Sequence, residues 1–83
     1  MGSYNIDATT VPGLLQLRLE GVMSIDEMQA FVKAHNAAVD TFRGKEYRVW
    51  CDIRTLAPLP PEASELMEAA KRHSASQRGF LGS

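Results

Sequence analysis

Leu15, Leu17 and Leu19, with Gln16, Arg18 and Glu20 between them, constrain this chain more than any other feature. A strict period of two places three leucines on one face of a strand and polar groups on the other. Such a strand needs an apolar layer over its leucine face and partner strands at its sides. The run opens at Leu14 and stops at Gly21. Ahead of it, residues 4–10 are short and mixed. Val11-Pro12-Gly13 then supplies the Pro-Gly pair of a type II turn, in which glycine takes a positive φ. The two segments predict a hairpin.

The layer over the leucines is predicted next. Ser24 followed three residues later by Glu27 makes a capping box, each side chain satisfying a free backbone N–H, and Asp26 and Glu27 suit the positive end of a helix dipole. From there Met28, Phe31, Val32, His35, Val39 and Phe42 recur at steps of three and four, one stripe of a helix, with Gly44 as its stop. Tyr47-Arg48-Val49-Trp50-Cys51-Asp52-Ile53 is rich in β-branched and aromatic residues and alternates less strictly, which predicts a central strand covered on more than one side. Strand, helix and strand then form a βαβ unit with parallel strands. On this reading Trp50 and Tyr47 supply core area and the single cysteine, Cys51, is a buried structural thiol.

Leu56-Ala57-Pro58-Leu59-Pro60-Pro61 cannot be regular structure, because proline lacks the N–H donor, but Pro60 or Pro61 fits the first turn of a second helix. That helix carries Ala63, Leu66, Met67 and Ala70 inward. Its acids Glu62, Glu65 and Glu68 come early and Lys71, Arg72 and His73 late, matching the dipole at both ends. The pattern fades from Ser74, and Phe80-Leu81-Gly82-Ser83 reads as the first residues of a further strand. The expected architecture is α/β, in the order β-β-α-β-α, with a small mixed sheet, helices packed on one face and an incomplete C-terminal end. Residues 1–10 are read as an N-terminal strand with Met1-Gly2-Ser3 as a tag remnant, 11–79 as the domain core and 80–83 as the start of a missing strand.

Composition bounds the function. A chain of 83 residues forms one domain at most and buries only about 60% of its unfolded surface. An apolar fraction of 45% and a charged fraction of 23% lie near globular averages, so the chain folds. Nine basic against ten acidic residues leave a net charge of -1, no field to draw in nucleic acid. One cysteine cannot make an internal disulfide. No segment approaches the ~18 apolar residues of a membrane span and the start lacks a signal-peptide pattern, which predicts a cytoplasmic protein.

Leu19-Glu20-Gly21 followed by the Ser24 cap, and Val49-Trp50-Cys51-Asp52-Ile53 as a strand with a terminal Asp, resemble the STAS domain of anti-sigma factor antagonists over about residues 11–79. The resemblance implies a regulatory, bacterial-type module that binds a protein partner at the start of its second helix. There the family carries an Asp-Ser or Asp-Thr pair whose hydroxyl is phosphorylated. This chain reads Pro60-Pro61-Glu62-Ala63, with no hydroxyl, so it is more similar to divergent STAS-like domains, akin in fold to lipid-transfer CRAL-TRIO domains.

The expected function is therefore non-catalytic: docking to a protein partner or self-association as a homo-oligomer, through Asp52, Arg54, Thr55, Leu59, Pro61 and Glu62. The alternative is a small hydrophobic ligand or lipid carrier. No cofactor, metal or nucleic acid is expected. Asp52 ends a strand where open α/β sheets place functional groups, or else caps the turn at Arg54 and Thr55. His35 is read as packed with one hydrogen bond, and His73 as a solvent-exposed partner of the helix dipole; no cysteine, Asp or Glu stands at metal-ligand spacing from it. Ser64 lacks the Gly-x-Ser-x-Gly context of a hydrolase nucleophile. An acid–base enzyme would need Asp52 and His35 in one pocket.

Overall fold

A computed structural model of the chain describes residues 2–82; Met1 of the tag-remnant reading and Ser83 of the further-strand reading lie outside them. The order is β1 (Ser3–Asp7), β2 (Leu14–Glu20), α1 (Ile25–Asp40), β3 (Arg48–Asp52) and α2 (Pro61–Ala75), as the residue pattern predicts. The sheet is mixed, in the order β1-β2-β3, with β1 antiparallel and β3 parallel to β2. The connection between β1 and β2 closes as predicted: Leu14 N–H donates to the Val11 carbonyl at 3.1 Å and Gly13 takes φ 76°.

Register decides which side chains meet the helices. Leu15, Leu17 and Leu19 share a face with Tyr4 and Ile6 of β1 and with Val49 and Cys51 of β3. Met28, Phe31, His35 and Val39 are the buried residues of α1, and the apolar ones join the leucines, Val49 and Tyr47 in one core. Ser24 caps α1 as expected, with the reciprocal hydrogen bonds of Ser24 and Glu27 at 2.8 and 3.1 Å. The stop differs from the expected one. The helix ends at Asp40, with Thr41 as its cap, and the chain reverses through Arg43 and Gly44, both left-handed at φ 51° and 83°. Gly44 therefore serves the turn beyond the helix.

Three sequence expectations about β3 are corrected. It borders β2 on one side only, so β2 is the middle strand and β3 has an outer edge. Trp50 is paired in register with Gln16, which puts its ring on the helix-free polar face, 51% exposed. Cys51 is exposed, at the unpaired edge. Alternation along β3 fixes its direction of burial only relative to β2, and that register is a long-range fact.

The outer edge of β3 is partly covered by the chain itself. Tyr47 N–H donates to the Gly79 carbonyl at 2.9 Å, Leu81 N–H to the Tyr47 carbonyl at 2.8 Å and Val49 N–H to the Gly82 carbonyl at 3.0 Å. Tyr47 and Phe80 form a parallel bridge. Residues 79–82 thus begin a fourth row parallel to β3, where the sequence places the start of a further strand. Among the described residues, no helix is long and apolar enough to cross a membrane.

Candidate functional site

The sheet carries two candidate sites, one on each face. On the helix-free side stand Asn5 and Asp7 of β1, Gln16 and Arg18 of β2, and Trp50 of β3, lining a shallow depression. At the end of the same face, Asp52 is 7% exposed and is covered by two exposed guanidiniums. Arg54 grips it with Nε at 3.0 Å and Nη2 at 2.9 Å, its backbone N–H adds a third bond at 3.1 Å, and Arg18 lies at 3.5 Å. The hydrogen bonds from Arg54 bring the Asp52 carboxyl down to about 2. A carboxylate held this firmly is a permanent anion and a poor proton carrier at neutral pH. Asp52 also caps the turn at Arg54 and Thr55, and together with Arg18, Glu20, Arg54 and Thr55 it lines a second depression.

The other sequence-selected residues divide. Thr55, Pro61 and Glu62 are exposed, and Pro61 occupies the first position of α2 with Glu62 in its first turn. Leu59 is half-buried and packs against the core, so a change there reads stability as well as docking.

The second site is on the helix side. α2 packs against α1, and the residues it buries are the small Ala63, Ala70 and Ser74. Small side chains leave the space over the outer part of β3 unfilled, and a cleft of about 340 Å³ opens between β3 and α2, walled by Leu17, Phe31, Val49, Met67, Ala70 and Phe80. His35 and Cys51 also line it. Sequence reasoning missed this cleft; the signal was the run of Ala and Ser on the inner face of α2.

His35 is 2% exposed, with Nδ1 at 2.9 Å from Asn36 Oδ1, the packed state with one hydrogen bond expected of it. Burial depresses its affinity for a proton, outweighing the Asn36 hydrogen bond, with a smaller contribution from His73, whose ring lies 6.5 Å away. His73 itself pairs with Asp40 at 3.0 Å, tying the end of α1 to α2, where the sequence suggested only a solvated helix end. Partial burial pushes the Cys51 thiol up, ahead of opposing attraction from Lys71. Asp52 and His35 sit on opposite faces of the sheet and do not converge. Among the described residues, no cluster of three or more His, Cys, Asp or Glu could hold a metal.

These groups predict how stability follows pH. A buried base with depressed proton affinity stabilises the fold fully above its ordinary value of 6.5, and that contribution is lost as pH falls below it, because the unfolded chain takes up the proton more readily. Asp52, and Asp7 with its bonds from Thr10 and Thr9, are both lowered from 3.8 to about 2. Their contribution is present above 3.8 and disappears as pH falls toward about 2. Urea midpoints should therefore decline in two stages, and His35→Leu should flatten only the stage just below pH 6.5. An unchanged slope in that variant would remove His35 as its source.

Comparison with known proteins finds no match to any family model, any curated protein or any solved structure.

Proposed function

We propose that this chain is a non-catalytic, STAS-like regulatory module of the cytoplasm that acts by self-association through the helix-free face of its sheet. The observation that carries the proposal is Trp50. A tryptophan 51% exposed among polar neighbours on a face with no helix over it has the composition and setting of an interface anchor. The charges around it are balanced: Asp7, Glu20 and Asp52 stand on this face with Arg18 and Arg48, and Arg54 lies beside it. A surface of mixed sign can meet a copy of itself across a two-fold axis, each carboxylate opposite a guanidinium. The β-β-α-β-α order with a parallel β2–β3 pair supports the STAS-like reading. The surface includes Asp52 and Arg54 of the sequence-selected group and leaves Leu59 to the core.

Light scattering across a concentration series tests this. Dimer formation is expected, weakening as salt screens the ion pairs. Trp50→Ala should cost about 2 kcal/mol of association, roughly thirtyfold in Kd, with little change in folding stability because the ring is outside the core. A monomer at every concentration, or a Trp50→Ala protein that associates like the parent, would rule the proposal out.

A further inference from the structure

We infer that the cleft between β3 and α2 binds a small amphipathic acid, an aromatic or short aliphatic body carrying one carboxylate. The cleft is on the opposite face of the sheet from Trp50, so this site is independent of the self-association surface. Its volume of about 340 Å³ falls within the range of small-molecule sites, and most of its lining residues are apolar, so an apolar body gains by leaving water there. Protein interiors are otherwise close-packed, and the small buried side chains of α2 leave this space unfilled.

The polar groups select the rest of the ligand. Among the described residues, Lys71 is the one formally charged residue lining the cleft. Its present partner, Glu68, is 3.5 Å away and both side chains are well exposed, so that pair is weak and the ammonium is free to turn toward an anion. A carboxylate at the rim meets Lys71, while the body of the molecule lies among Phe31, Val49 and Met67. Inside, His35 is neutral at pH 7 and makes its one hydrogen bond, among the described residues, through Nδ1; Nε2 is left as an acceptor for a hydroxyl on the ligand. Neutral molecules lack the rim contact, and dianions would have to bury a second charge.

The test uses 2-naphthoate and 2-naphthol as probes, titrated into the full chain at pH 7 and followed by backbone amide NMR shifts. Saturable shifts at Phe31, Val49, Cys51 and Met67 are expected for naphthoate. Lys71→Met, a change at an exposed side chain, should weaken naphthoate roughly fivefold and leave naphthol unchanged. Cys51→Leu, which fills the cleft from the exposed strand edge, should weaken both. Absence of saturable shifts with either probe overturns the site. Equal binding of naphthoate to the parent and to Lys71→Met overturns its assignment to acids. Trp50→Ala should bind naphthoate like the parent protein, so failure of the docking surface and failure of this site are read separately.

Discussion

Tyr47→Ala is expected to cost about 3–5 kcal/mol, most of the stability of a domain this small. Tyr47 is 1% exposed and lies where four segments meet. Its ring stacks on Phe42 at the end of α1, with centroids 4.6 Å apart, and meets Phe80 of the tail edge-on at 5.9 Å. Its hydroxyl donates to the Ser74 carbonyl near the end of α2 at 2.6 Å. Removing the ring opens a cavity that rigid neighbours on three sides cannot close, and it unties both helix ends from β3. Tyr47→Phe separates the two contributions: it keeps the stack and loses one hydrogen bond, so about 1 kcal/mol is expected. Urea denaturation of the three proteins measures both values. A loss for Tyr47→Phe as large as for Tyr47→Ala would place the energy in the hydroxyl and contradict this account.

Tyr47 also shows what the sequence made legible. Its aromatic character at the start of a β-branched run marks it as core, and the structure agrees. Trp50, three residues on, carries the same signal and has the opposite fate. The two stand three positions apart, so strand alternation alone puts them on opposite faces, Tyr47 with Val49 and Cys51 and Trp50 with Arg48 and Asp52. The parallel register then says which of the two faces meets the core, setting Val49 beside Leu15 and Trp50 beside Gln16. Elements defined by nearby residues were readable: the leucine alternation, the Ser24–Glu27 box, the Pro61 start of α2 and the Pro12-Gly13 turn. Features that depend on how elements meet were not. The cleft needs the spacing between α2 and β3, and the His73–Asp40 pair joins residues 33 positions apart.

The candidate site follows the same division. Asp52 was found because strand ends in open α/β sheets collect polar groups, and its cap on the Arg54 turn follows from local geometry. Its partner Arg18 stands one strand away and was visible only as an alternating polar residue of β2. Leu59 was chosen for being apolar in a Pro-rich loop, but an apolar loop residue can equally turn inward, and here it does. The proposed interaction surface is therefore the face of the sheet around Trp50 in place of the start of α2.

Gly79→Ala should release the tail from the sheet. A methyl group on Gly79 would lie 1.9 Å from the Lys45 carbonyl oxygen and 2.5 Å from its carbon, and these are backbone atoms held in place by the turn at Gly44. Neither segment can yield without straining the hydrogen bonds that join residues 79–82 to Tyr47 and Val49. Overpacking against fixed backbone costs about 1–3 kcal/mol, and three hydrogen bonds at about 1 kcal/mol each are at risk with it. Amide hydrogen exchange should show the Tyr47 and Val49 N–H groups losing protection in the variant, while the Arg48 N–H, which donates to Gly13 on the other side of β3, stays protected. Loss of protection on both sides would mean that β3 itself has left the sheet. An unpaired strand edge recruits other strands, so the variant should also aggregate more readily than the parent. Since Phe80 leaves with the tail, the cleft should lose one wall and naphthoate should bind more weakly, which would tie the edge of β3 to the proposed ligand site through a single glycine.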